Sequence, residues 1–530
     1  MKLQEHSLRW ALNHLVKYSD TDLFPKPIEF DVLYKIQNDT INRLKDIDLG
    51  NYQHNAARRF IVPKDEISYR TATQLDPLDN IMLTAIIYEY GQLIENKRIP
   101  ISEEKVFSYR FSPQDDWSLY NSNVSWTEFW SVCKNKISNY QYAVYLDIAD
   151  FYNQIYHHNI ENQLMDVDFP NQVKKWIINL LEKVTAKVSR GIPVGPHSTH
   201  LLGELSLIPL DNILTLKGLD FCRFVDDIVI FCNSYTESKT IIYQMAESLD
   251  KQQRLILQRG KTKIYNSDDF ENHCIEMTKN QPINKYEEEI LNIISDHSTG
   301  NPYVTIKIED LSGNQLELFK EEVIENILGS YLNIDQPNYT RLRWFLRRLS
   351  QIGIPSAVEF CIAHIEILTP AISEVCHYLL SVNNNFKGNW KILGSNLFQI
   401  LDNEIVRSNE YFQITILSLF SRNSLLNHSN LLITLYKSSP NSLRREILLS
   451  AYAQNMGDWI RELKEDYSSL DIWCKRAFII ASISLPMDER KFFLNHIKDN
   501  DILNELLIKW ATAKLTLNNS NATNINNYPI

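Results

Sequence analysis

Apolar and polar positions follow two regimes along the chain. Up to about residue 270, short runs of β-branched and aromatic residues alternate with stretches of helical spacing. Leu8, Leu12, Leu15 and Val16 share one helical face, so residues 1–50 are predicted to be a helical extension, broken at Phe24-Pro25-Lys26-Pro27. Arg58 to Lys64 predicts a strand, Asp65-Glu66 a turn and Ile67 to Thr73 the returning strand. Asp76 to Glu95 predicts a long helix. Ala143 to Leu146 and Arg223 to Phe231 read as strands. Leu201 to Leu216 reads as an apolar helix that Pro209 breaks.

Beyond about Leu316 the short runs give way to amphipathic helices: Glu322–Leu332, Tyr339–Ile352, Pro355–Leu368, Ser442–Gln454 and Leu470–Ile483. Pro355, Pro370, Pro440 and Pro486 punctuate them. Helix pairs repeating at roughly 35–45 residues suggest a HEAT-like array, with an irregular bundle as the alternative. The predicted division is a helical extension (1–50), a mixed α+β unit (51–300), a helical repeat domain (310–515) and a disordered Asn-rich tail (516–530). The turn cluster Asp296 to Pro302 marks the junction.

Composition narrows the setting. A chain of 530 residues with 44% hydrophobic content can build more than one core. No run of about 18 apolar residues occurs, so no membrane span is expected, and Met1 to His6 does not read as a secretory leader. Seven scattered cysteines, none in a Cys-x-x-Cys pair, read as reduced intracellular thiols. Cys222 and Cys232 are expected in the core. The net charge of −11 argues against a broad DNA-coating surface and is compatible with an enclosed channel.

The chemistry gathers around Arg223-Phe224-Val225-Asp226-Asp227-Ile228. Unpaired charges inside a buried strand cost several kcal/mol. A turn that aims the two acids at a divalent metal relieves that cost, because Mg²⁺ prefers hard carboxylate oxygens. A plain β-turn with Asp at its tip fits the same residues. Asp147, ending the upstream strand, is the candidate third carboxylate; Asp150 falls on the turn into the next helix and is not. Two metals about 3.5–4 Å apart are the usual device for in-line displacement at phosphorus. Between the acids, Arg190 to Ser198 supplies Gly191 and Gly195 before a helix, where backbone can approach phosphate or base. Lys64 and Arg70 on the hairpin can close over a triphosphate, and Lys261 can neutralise a leaving pyrophosphate. Arg341, Arg343, Arg347 and Arg348, with Trp344 and Phe345, can hold a single strand. Arginines solvated or paired with acids, above core aromatics, fit the same helix. His197 and His200 have no third metal ligand nearby and read as structural. His157 and His158 read as surface residues.

Taken in order, these stretches resemble the reverse transcriptase palm over roughly residues 50 to 270. Leu146 to Tyr152 looks like its motif A, Gly191 to Ser198 like motif B and Phe224 to Asp227 like motif C. Leu255-Ile256-Leu257 with Lys261 to Ile264 looks like motif D. Asp150-Phe151-Tyr152-Asn153-Gln154-Ile155-Tyr156-His157-His158 and Gly191-Ile192-Pro193-Val194-Gly195-Pro196, with the long helical C-terminal part, are similar to the bacterial abortive-infection and defence-associated reverse transcriptases.

That resemblance implies fingers and palm followed by an all-α repeat domain in place of a normal thumb. It implies two Mg²⁺ ions, or Mn²⁺, held by Asp147, Asp226, Asp227 and the Ile148 backbone carbonyl. It places Lys64, Arg70, Tyr152, Gly195 and Lys261 around a dNTP, with the Tyr152 ring beneath the sugar excluding a 2′-hydroxyl. It further implies antiviral DNA synthesis in a bacterial cytoplasm, primed from a protein hydroxyl, either without a template or from a companion non-coding RNA. The single-stranded DNA product would then stay covalently attached. Trimers or hexamers follow from the same resemblance, and no membrane. Val194 replaces a common Gln, and no primer-grip motif follows motif D; both set ordinary template handling in question. An RNA-templated enzyme of retron or intron type and an inactive nucleic-acid-binding scaffold are the alternatives.

Overall fold

The structure is a computed structural model that describes residues 1–20, 23–278, 282–298, 305–333, 337–497 and 500–513. The expected tail and the Thr299–Pro302 part of the junction lie outside the described residues.

Among the described residues, six strands form two sheets. The smaller is a hairpin of β1 (Arg58–Pro63) and β2 (Tyr69–Gln74), with Pro63 opposite Tyr69. Asp65 closes its turn by accepting the N–H groups of Ile67 (3.0 Å) and Ser68 (2.7 Å). The long helix Pro77–Glu95 follows. Asp76 caps it, accepting the Leu78 N–H at 2.9 Å, and Pro77 opens it, where its missing N–H costs nothing.

The larger sheet is antiparallel throughout. It runs in the order β4 (Phe221–Phe224), β5 (Asp227–Cys232), β3 (Tyr142–Asp147), β6 (Lys263–Asn266). Side chains alternate between its faces. Ala143, Cys222, Val229 and Phe231 pack against Phe129, Trp130 and Cys133 of helix Trp126–Ile137 and Phe270 and Cys274 of helix Ser267–Thr278. Val144, Leu146, Ile228 and Ile230 face the main core on the other side. Cys222 and Cys232 are both buried, as expected.

The helix expected to break at Pro209 instead runs unbroken from Thr199 to Leu216. An internal proline costs about 3 kcal/mol, but the stretch of helix around it, Leu201 to Asp211, is buried nearly throughout. Gln253 Nε2 also donates to the Ser206 carbonyl, at 2.6 Å, close to the gap in the helix ladder.

The C-terminal half is helical. The expected helix Pro355–Leu368 is reduced to a 3₁₀ turn, Pro355–Ala357, and helix Val358–Ala363. Six helices stack in chain order, each on the next: Tyr339–Ile352, Ile372–Ser381, Glu410–Arg422, Asn441–Ala453, Ile472–Ala481 and Ile502–Ala513. This row clasps the hairpin and the N-terminal helices. Arg343 donates to the Lys64 carbonyl (2.6 Å), Asn409 to the Ile61 carbonyl (2.9 Å) and Trp473 Nε1 to the Ala56 carbonyl (2.8 Å). Tyr339 bonds Glu66 at 3.1 Å. Buried ion pairs run along the same seam. Arg445 reaches Glu29 (2.8 Å) and Glu446 (2.6 Å), and Arg476 pairs with Asp76. One hydrophobic cluster spans from Leu3 to Ala511, so packing crosses the boundaries expected near residues 50 and 310.

Candidate active site

Strand register assembles the acids. Asp147, the last residue of β3, lies directly opposite Asp227, the first residue of β5. Phe224 pairs with Asp227, which leaves Val225 and Asp226 as a two-residue loop between β4 and β5. Like charges directly opposite on a sheet face repel, and the pKa directions record it. Burial first, then Asp227 and Asp147, push the Asp226 carboxyl up to about 7. Burial also raises Asp227, against a hydrogen bond from the Tyr145 hydroxyl. Tyr145 stands two residues before Asp147, on the same sheet face. Sequence reasoning missed it, although its period-two spacing from Asp147 is a visible signal.

Lys261 supplies the positive charge. Its Nζ lies 2.6 Å from Asp147 Oδ2. Partial burial works against its charge, but Asp147, then Asp227 and Asp226, hold its pKa above the ordinary lysine value. Among the described residues, no group of three His, Cys, Asp or Glu side chains stands at metal-ligand spacing; Lys261 and Tyr145 engage two of the three carboxylates. By chemistry the set still suits a hard divalent cation: carboxylate oxygens, raised pKa values at Asp226 and Asp227, and a single lysine against three acids. The Ile148 N–H donates to the Asp226 carbonyl at 3.3 Å, tying the two acidic segments together.

The turn is strained and braced. Val225 adopts a left-handed φ of 55°, unusual for a β-branched residue and costing about 1–2 kcal/mol. Its N–H donates to Ser108 Oγ at 2.9 Å, and its carbonyl accepts from Arg223 Nη1 at 3.0 Å. Arg223 is fully buried and also binds Asp211 (2.6 Å) and Glu204 (3.0 Å), while Arg98 reaches Glu204 at 2.7 Å. Ser108 Oγ donates in turn to Glu204 at 2.5 Å. This buried cluster fixes the loop from behind.

The glycine segment lies between the hairpin and the sheet. Gly191 and Gly195 take positive φ values of 96° and 133°, which L side chains rarely adopt. The Val194 carbonyl accepts the Thr73 N–H of β2 at 2.8 Å. His157, expected on the surface, is buried instead. Its Nε2 bonds the Gly191 carbonyl at 2.8 Å, because helix His157–Asp166 packs under this loop. His158 is exposed, as expected.

Tyr152 sits at the start of the helix after β3, and its hydroxyl bonds His200 Nδ1 at 2.8 Å. His197 and His200 have ring centroids 6.4 Å apart. Asp150 is spent locally on Asn153, at 2.7 Å. On the hairpin, Lys64 is exposed. Arg70 is half-buried, its pKa lowered by burial and then by Arg343, and its buried Nε has no hydrogen-bond partner among the described residues. A half-buried guanidinium with a spare donor suits an anion.

In the arginine helix the cations meet acids, carbonyls and an amide, the alternative that the sequence left beside strand binding. Arg341 is buried, its Nε 2.7 Å from Glu287. Arg343 is committed to the Lys64 and Pro370 carbonyls (2.6 and 2.7 Å), and Arg347 pairs with Glu374 at 2.8 Å. Arg348 bonds Gln351 at 2.9 Å and lies 5.1 Å from the Trp344 ring centroid. Acids and carbonyls from neighbouring elements, invisible in the local pattern, satisfy these cations.

Residues 34–290 match the family described as reverse transcriptase (RNA-dependent DNA polymerase). A solved structure of telomerase from Candida albicans, in complex with a fragment of telomeric RNA, is similar over 76% of this chain and 70% of that chain. The identity is 12% and the TM-score 0.30, a likeness too slight to carry function. No curated protein matches the chain.

Proposed function

From the premise that residues 34–290 form a reverse transcriptase domain, and so a nucleotidyltransferase unit, we propose that this chain polymerises deoxynucleotides in antiviral defence of a bacterium. The observation that carries the reading is the register that sets Asp147 opposite Asp227 with Asp226 in the adjoining loop.

Reverse transcriptase domains generally use divalent metal ions. Here Asp147, Asp226 and Asp227, with the Ile148 carbonyl, would hold two Mg²⁺ or Mn²⁺ ions. When bound, they supply charge neutralisation at the reacting phosphate. The chain's own residues do the rest. Lys64 and Arg70 grip the triphosphate, and Gly195 lets backbone approach the nucleotide. The Tyr152 ring lies beneath the sugar. Lys261, beside Asp147, would neutralise the leaving pyrophosphate. The hydroxyl that attacks the α-phosphorus belongs to a protein side chain, and the DNA stays attached to the protein. Synthesis runs either without a template or from a companion RNA. We read the helical row as a HEAT-like array that replaces a thumb and supports trimers or hexamers.

The test uses protein as purified from cells. One portion is digested with nuclease and one with protease, and both are run on denaturing gels. DNA that survives denaturation on the protein, and is absent from Asp226→Asn, is the expected result. Incorporation only on an added primer and RNA template would favour the second reading, an RNA-templated enzyme, which the description of the matching family supports. Nucleic-acid binding with no incorporation under any condition would favour a scaffold.

A further inference from the structure

Three segments distant in sequence meet at one ring. The Tyr152 hydroxyl bonds His200 Nδ1 at 2.8 Å. The other side of the contact is a stack: the His200 and Tyr109 rings are parallel, with centroids 4.1 Å apart. Tyr109 itself holds a left-handed φ of 42°, a costly conformation for a bulky residue. Its carbonyl is fixed by Arg98 Nη1 at 2.9 Å, from the same buried cluster that braces the Asp226 loop. One helical turn beyond His200, Gly203 makes room for the ring. A Cβ there would stand 3.3 Å from Tyr152 Cε1. The backbone is held too, since the Tyr152 carbonyl accepts the Ile192 N–H at 2.9 Å.

We propose that His200, backed by Tyr109, positions the Tyr152 ring and thereby sets the discrimination between deoxyribonucleotides and ribonucleotides. The inference rests on the reading of Tyr152 as the surface beneath the sugar, and it assigns a residue to that surface's orientation. An aromatic ring excludes a 2′-hydroxyl only while its edge stays in place. A phenol free to swing opens the space it should fill. The hydrogen bond restricts that swing at the far end of the side chain, where leverage over the ring is greatest. Burial pushes the His200 imidazole down to about 3, so it remains a neutral partner. Strain at Tyr109 is the kind of local cost that persists where geometry serves the site.

The experiment measures kcat/KM for dTTP and UTP with the full chain, supplied with oligo(dT) on poly(rA) and also without added nucleic acid. The variants are Tyr152→Ala, Tyr152→Phe, His200→Leu and the Tyr152→Phe/His200→Leu double variant. Tyr152→Ala is expected to cut discrimination about a hundredfold. His200→Leu and Tyr152→Phe are each expected to cut it about five- to tenfold, the value of one hydrogen bond. The double variant is expected to match either single, because both remove one contact. His200→Asn, which can still bond the phenol, is expected to recover part of the ratio. Should His200→Leu fail to fold, Tyr152→Phe deletes the same bond from the other side.

A large loss in Tyr152→Ala, with His200→Leu and Tyr152→Phe at the wild-type ratio, would overturn the positioning role and leave the gate standing. An unchanged ratio in Tyr152→Ala would remove the gate itself, and the inference with it.

Discussion

The β4–β5 turn and the seam between the N-terminal segments and the helical row both bury charge, and they treat it in opposite ways. Along the seam each cation meets its anions: Arg445 lies between Glu29 and Glu446, and Arg476 between Asp76 and Asp501. At the turn three carboxylates crowd one lysine, and the Asp226 pKa climbs. Balanced buried charge holds parts together. Unbalanced buried charge is costly unless something mobile arrives to compensate it, and it marks the place where chemistry is done.

Four measurements press on that contrast. The largest effect is expected at the turn, where Asp226→Asn should lower nucleotide incorporation by about a thousandfold or more while far-ultraviolet dichroism stays native. Retained activity would reduce the acids to a structural turn. At the seam the effect should fall on stability instead. Arg445→Met strands Glu29 and Glu446 in the interior and is expected to cost about 3–5 kcal/mol in denaturant melts. Restoring balance with Glu29→Gln should recover part of the loss.

The third measurement is pH dependence without metal. The Asp226 carboxyl is raised from its ordinary 3.8 to about 7 in the fold. Its protonated form is therefore favoured by folding. That contribution is fully present below the ordinary value and is lost as pH rises toward 7. The melting temperature should fall across that window, and less steeply in Asp226→Asn. Mg²⁺ should restore more of it near pH 8 than near pH 6. A parallel fall in both proteins would show that other groups dominate. The smallest effect is expected at Arg347, whose side chain is 51% exposed beside Glu374. Arg347→Ala should change stability by less than about 1 kcal/mol. Any fall in single-strand affinity should then be read by filter binding. No change would confine strand contacts to other residues.

What the sequence disclosed follows from how local each signal is. The alternation around Asp147 and Asp226 is short-range, so β3, the β4–β5 turn and the hairpin were readable. The helix boundaries at Tyr339 and Ile352 came directly from 3.6-residue periodicity. Pro209 misled because burial outweighed an intrinsic penalty that acts alone only in an exposed helix. His157 misled because a polar residue next to a second histidine looks solvated until the loop above it is placed. The arginine helix was legible only as two alternatives, strand contact or pairing with acids, because the partners that distinguish them are remote. Glu287 and Glu374 lie 54 and 27 residues from their partners Arg341 and Arg347, beyond any window of sequence periodicity. Tyr145 and His200 matter through their tips, and what a side-chain tip reaches is set by tertiary contacts.

The packing of helix Ile28–Lys35 against helix Ile502–Ala513, with Arg43 on Glu505 and Lys509 on Asp39, has a consequence for synthesis. The ribosome delivers the first of these partners hundreds of residues before the last. Until helix Ile502–Ala513 emerges, the early helices keep an apolar flank without its cover. Nascent chains stalled before that point should recruit chaperones, and the early helices should gain their full protection only once helix Ile502–Ala513 has emerged.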